Sequence, residues 1–145
     1  AVSLSPRIPI QVHLYVAASC KVRMREPLVM VAVAELPFAI PKPVVDNDAL
    51  ALTIHPLMEQ TTGLRLFPTY TYSRIYWKGS TLAKHKDRFS CQYSCTINIA
   101  NDPEPWPIYM EGAEVILNPG DMVVYQGCEA EHWREPYEGN QQRID

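Results

Sequence analysis

Short apolar runs separated by turn-forming clusters dominate this chain. Residues 8–16 partly alternate apolar and polar positions, as a strand with one buried face does. Residues 28–34 are continuously apolar, and periodicity alone leaves them open between buried strand and helix. Pro37, Pro41 and Pro43 then impose an extended, irregular connection. From Asp46 the period changes. Asp46, Asn47 and Asp48 offer helix N-cap chemistry, and Ala49, Leu50, Leu52, Ile54, Leu57 and Met58 form a stripe near helical spacing. Pro56 is expected to kink or restart that helix, and Gly63 to stop it.

Period two returns at residues 69–77, which are dense in β-branched and aromatic side chains and place Tyr70, Tyr72, Arg74 and Tyr76 on one face. Lys78, Gly79 and Ser80 make a turn. Strands are expected at residues 91–100, 106–110, 113–117 and 122–125, with a loop at residues 101–105 and a tight turn at residues 118–121. Strands this short and evenly spaced describe a sandwich or barrel.

Composition narrows the picture. The chain has 145 residues with 47% hydrophobic and 20% charged positions, which suits one domain over residues 1–145 with a sizeable core; residues 1–45 are its least defined part. Thirteen prolines disfavour long helices. The net charge of -3, with no long basic block, points away from nucleic acid and from membrane surfaces. No apolar run reaches membrane-spanning length, and Pro6 and Pro9 interrupt any apolar leader region. Cys20, Cys91, Cys95 and Cys128 show no CxxC spacing and read as free thiols, which favours a reducing, cytoplasmic setting.

The candidate chemistry begins at His85 and Asp87. On an extended backbone they leave the same face, so both can reach one metal ion while Lys86 points away. His132, delivered by a loop after a short apolar strand, is the candidate third ligand. Two imidazoles and one carboxylate on one side of a metal leave its other positions open, as in non-haem Fe(II) oxygenases. His13 and His55 read as a strand and a helix-surface histidine.

Two longer stretches carry a resemblance. Tyr76-Trp77-Lys78-Gly79-Ser80-Thr81-Leu82-Ala83-Lys84-His85-Lys86-Asp87-Arg88 resembles the first metal-binding segment of 2-oxoglutarate- and Fe(II)-dependent oxygenases, and the stretch from Asn118 to His132-Trp133-Arg134-Glu135-Pro136 resembles the second. The likeness is to the prolyl-hydroxylase-like, small bacterial and phage subgroup, with Pro68 to Arg74 as a further shared segment, and it spans roughly residues 56–140. It implies a mainly β fold, a double-stranded β-helix (jelly roll, cupin-like) with one or two supporting helices. It also implies Fe(II) held by His85, Asp87 and His132 as the catalytic centre. 2-Oxoglutarate and O2 would be co-substrates, and a C–H bond of a peptidyl, amino-acid or other small substrate would be hydroxylated with release of succinate and CO2.

The distal carboxylate of 2-oxoglutarate calls for a cation, best a guanidinium that bonds through two N–H groups. Arg143, eleven residues after His132, fits the family's spacing, and Arg134, two after it, fits strand parity; Arg74 ranks behind both. Tyr76 matches the position of a tyrosine that hydrogen-bonds 2-oxoglutarate in prolyl-hydroxylase-like members. The chain stops before the family's last strand has run its length, so the N-terminal segment is expected to supply that strand or the domain to be trimmed. Two alternatives stand beside this reading: a cupin-like metal-binding protein, which the HxD pair disfavours, and a non-catalytic β-domain that binds a partner through its tyrosines.

Overall fold

The computed structural model describes residues 10–18, 32–35, 47–100 and 105–139. The expectations for residues 28–31, for Pro37, Pro41 and Pro43, for Cys20, for the loop at 101–104 and for Arg143 lie outside the described residues. In chain order the elements are β1 (Ile10–Ala18), β2 (Ala32–Glu35), α1 (Asn47–Thr62), β3 (Leu66–Ile75), β4 (Leu82–His85), a 3-10 turn (Phe89–Cys91), β5 (Tyr93–Ala100), β6 (Ile108–Met110), β7 (Ala113–Val115), β8 (Asp121–Tyr125) and β9 (His132–Arg134). The fold is mainly β.

The strands form two sheets. The larger runs β2-β8-β5-β1-β3 and the smaller β4-β9-β6-β7. Every pairing between the described strands is antiparallel. β1 therefore lies between β3 and β5, and His13 stands opposite Tyr72 on one side and Thr96 on the other. Pro68 falls in β3, at the outer position of that sheet and beside a register shift at Tyr15/Val16. An edge strand with a local irregularity is where a residue lacking an N–H donor fits.

Strand alternation divides the apolar side chains between two cores. Tyr93, Cys95, Ile97 and Ile99 of β5 pack with Met122 and Val124 of β8 against Leu50, Ile54 and Met58 of α1. The alternate residues Val123 and Tyr125 join Ile108, Met110, Val115, Leu117 and Ala130 in a second core between the sheets. Burying side chains of this size stabilises by roughly 1.5–3 kcal/mol each, so these two cores and not the surface ion pairs carry the fold.

α1 differs from expectation at Pro56. The helix runs unbroken through it. Proline removes the bond to the carbonyl four residues earlier, that of Leu52. Leu52 is 73% exposed, so that carbonyl sits on the solvent side of the helix, where water can satisfy it. Gly63 ends the helix as expected, at φ 68° and with its N–H donating to the Glu59 carbonyl at 2.8 Å. His55 is not a free surface residue: its Nε2 lies 2.8 Å from the Leu66 carbonyl and ties α1 to β3. The β6–β7 hairpin turns through Glu111 and Gly112, both at positive φ (49° and 85°), the geometry of a two-residue type I′ turn. The turn at residues 118–121 closes with Asp121 N–H donating to the Asn118 carbonyl at 2.9 Å. Among the described residues no helix is long and apolar enough to cross a membrane.

Candidate metal centre

The pairing of β4 with β9 sets His85 directly opposite His132, past an irregularity that follows Leu82. Opposed residues of an antiparallel pair share a face. The two imidazoles therefore sit side by side, with ring centroids 4.3 Å apart. Asp87 follows two residues after His85. Its N–H donates to the Gly127 carbonyl at 2.8 Å, which pins the segment to the loop after β8.

His85, Asp87 and His132 thus converge, with one ligand atom from each lying within 4.8 Å of the others. Asp87 Oδ1 is 3.7 Å from His85 Nε2 and 3.8 Å from His132 Nε2. Adjacent ligands of a cation with bonds of about 2.1 Å stand closer, about 3 Å apart in an octahedral set; small side-chain rotations close that difference. The His132 and Asp87 side chains are 2% and 7% exposed, and that of His85 is 38% exposed, so the cluster opens to solvent on the His85 side.

Backbone carbonyls orient both rings. His85 Nδ1 donates to the Ala83 carbonyl at 2.7 Å and His132 Nδ1 to the Ala130 carbonyl at 2.9 Å. A carbonyl oxygen only accepts, so each Nδ1 carries a proton and each ring turns its Nε2 toward the cluster. Burial pulls the His132 pKa below its ordinary value, against the opposing pull of the Ala130 carbonyl and the Asp87 carboxylate, and this favours the neutral, ligating form. Asp87 Oδ2 accepts from Ser94 Oγ at 2.6 Å, which leaves Oδ1 facing the imidazoles.

Gly127 completes this support by what it lacks. A Cβ there would overlap Asp87 Oδ2 and Ser94 Oγ and lie 2.6 Å from the Cys91 carbonyl. Gly127→Ala is therefore expected to displace the Asp87 carboxylate. It should lower metal affinity on the order of tenfold to a hundredfold and stability by about 1–3 kcal/mol, read by metal titration and by thermal unfolding. Unchanged affinity would mean that the carboxylate is not held here.

The sequence candidates for an anion partner separate. Arg134 lies on the same face of β9 as His132 and is 2% exposed. Its Nη1 donates to the Trp106 carbonyl at 2.6 Å, and its guanidinium lies 4.5 Å from the centre of the Trp106 ring. Among the described residues its Nε has no hydrogen-bond partner and no carboxylate pairs with it. Burial lowers its pKa to about 10, with the Tyr76 and Tyr125 phenols as its electrostatic neighbours. Tyr125 also packs edge-on against His132, at 4.9 Å between ring centroids, and so links the guanidinium to the cluster. Tyr76 is 2% exposed, its hydroxyl has no partner among the described residues, and its ring meets Trp106 at 4.7 Å. Arg74, in contrast, is exposed, with its guanidinium 5.6 Å from the centre of the Tyr76 ring. Its guanidinium is a weaker candidate than the buried one of Arg134.

Sequence reasoning missed Ser94 and Gly127 as supports of the cluster, and it placed no neighbour beside the Arg134 guanidinium. Ser94 and Tyr125 read only as strand residues; their roles depend on which strands pair. No protein-family model, curated protein or solved structure matches the chain.

Proposed function

We propose that this chain is an Fe(II)- and 2-oxoglutarate-dependent oxygenase that hydroxylates a C–H bond of a peptidyl, amino-acid or other small substrate. The observation that carries the reading is the His85–Asp87–His132 cluster with both Nδ1 atoms committed to carbonyls, beside a buried guanidinium that no described carboxylate pairs. The donor set fits the metal. Two neutral imidazoles and one carboxylate suit Fe(II) and leave coordination positions open. It fits the co-substrate as well, since the Arg134 Nε and the Tyr76 hydroxyl are buried donors that a carboxylate would satisfy.

His85, Asp87 and His132 would hold the iron, and Arg134 with Tyr76 would bind the distal carboxylate of 2-oxoglutarate. When bound, iron would activate O2, the oxidant, with two electrons drawn from 2-oxoglutarate, released as succinate and CO2, and two from the substrate C–H bond. The protein's own residues bind and orient. The carbonyls of Ala83 and Ala130 fix the imidazoles, Ser94 fixes the carboxylate, and the core around Tyr125 keeps water from the inner side of the cluster. On this reading the two sheets are the halves of a double-stranded β-helix, and β1, between β3 and β5, is the strand that the resemblance places last. Free thiols at Cys91, Cys95 and Cys128 suit a reducing cytoplasm.

Anaerobic titration with Fe(II) and then 2-oxoglutarate tests the proposal. A weak visible absorption band is expected only when both are present. Metal binding without the band would indicate a metal-binding protein of another kind. Failure to bind Fe(II) would remove the oxygenase reading altogether.

A further inference from the structure

The geometry points to a second recognition site, a cleft built from residues 105–109 and 135–139 that takes a cationic side-chain head group of the lysyl, arginyl or methylammonium kind. The cleft encloses about 190 Å³ and is lined by the rings of Trp106, Tyr109 and Tyr137, three prolines, and the glutamates Glu135 and Glu138. Ligand pockets for whole drug-sized molecules measure about 300–1,000 Å³. This one has room for the end of a side chain.

Its chemistry selects the sign of the guest. Among the described residues no basic one lines it. The Trp106 indole N–H is already donated, to the Glu135 carbonyl at 3.0 Å, so it does not recruit an anion. Glu135 Oε1 accepts from the Trp133 indole at 3.0 Å, a neutral donor that orients the carboxylate without cancelling its charge. Glu138 is exposed and forms no described ion pair. The surrounding chain adds to the negative field. Residues 111–138 hold seven acidic residues and one basic residue, Arg134, whose guanidinium already lies 4.5 Å from the centre of the Trp106 ring, so the glutamates and the Tyr109 ring carry the preference for a cation. Lys84, the cation beside Trp133, is already paired with Glu131 at 2.9 Å.

Aromatic faces reinforce this preference, because their quadrupoles attract cations. The same surface already uses that attraction internally: Lys84 Nζ lies 4.5 Å from the centre of the Trp133 ring, and Tyr109 stacks on Trp133 at 5.4 Å. The three prolines hold the walls in place before a guest arrives, which lowers the entropy cost of binding. A neutral apolar guest would leave two carboxylates at the rim without a counter-charge, and an anion would be repelled by both.

The test titrates the full chain with Nα-acetyl-lysine methylamide and its Nε-trimethyl form, with the norleucine analogue as neutral control. Indole and tyrosine ring resonances are followed by NMR. Saturable shifts at Trp106 and Tyr109 are expected for both cationic probes, with dissociation constants on the order of millimolar, and none for the neutral one. The double variant Glu135→Gln, Glu138→Gln should weaken binding at least about fivefold, and Tyr109→Leu by about fivefold to tenfold. Thermal unfolding checks that each variant is folded. Trp106 is left intact because it also supports Arg134. Equal binding of the norleucine analogue, shifts confined to residues outside the cleft, or a folded double variant that binds as tightly as the parent would each overturn the inference. Neither iron nor 2-oxoglutarate enters the measurement, so its result is independent of the oxygenase proposal.

Discussion

Asp87→Ala is expected to lower Fe(II) affinity by on the order of a hundredfold or more, to abolish succinate formation, and to move Tm by no more than about 4 °C. The affinity loss follows from charge. Asp87 supplies the only negative charge in the cluster, and two neutral imidazoles hold a hard divalent cation weakly without it. The small effect on stability follows from two opposing terms. The carboxylate is 7% exposed, so removing it relieves a desolvated charge, while Ser94 Oγ loses its 2.6 Å acceptor. Ser94 keeps a longer contact of 3.4 Å to the Cys91 carbonyl, and the backbone bond from Asp87 to Gly127 does not involve the side chain. Anaerobic metal titration, succinate assay and thermal unfolding read the three outcomes separately. A variant that still converts 2-oxoglutarate would show that the ligand set is wrong.

How far the cluster could be read from the sequence depends on which of its determinants are local. Strand parity placed His85 and Asp87 on one side, because that needs only their spacing. It also placed Arg134 with His132, and β9 buries both. The register that opposes His85 to His132 joins positions 47 residues apart and passes an irregularity in β4, so neither alternation nor turn chemistry encodes it. Ser94 and Gly127 become visible only once β5 and the loop after β8 are brought against Asp87. The same limit applied to β1. Its alternation announced a strand, but nothing in residues 8–16 says that it lies between β3 and β5. Pro56 misled for the opposite reason: a local rule predicted a break, and the solvent-facing position of the orphaned carbonyl made the break unnecessary.

Arg134→Met is expected to remove 2-oxoglutarate binding while leaving the ligand-free protein as stable as before or more so. A guanidinium at 2% exposure that has, among the described residues, neither a partner for its Nε nor a paired carboxylate destabilises the fold that contains it. Methionine keeps much of its volume and removes the charge, at the loss of the 2.6 Å bond to the Trp106 carbonyl and the contact with that ring. Residues retained against stability are commonly those that function needs. Truncating one partner of a buried, hydrogen-bonded charge pair costs about 2–5 kcal/mol, which corresponds to a loss of about thirtyfold or more in affinity. Arg134→Lys should not restore it, because an ammonium cannot reproduce the planar fork. Thermal shift separates the effects: 2-oxoglutarate added with Fe(II) should raise the Tm of the parent protein and leave that of Arg134→Met unmoved. If Arg134→Met keeps its affinity and Arg143→Met loses it, the anchor lies after His132 at the family's usual spacing, and the buried guanidinium serves Trp106 alone.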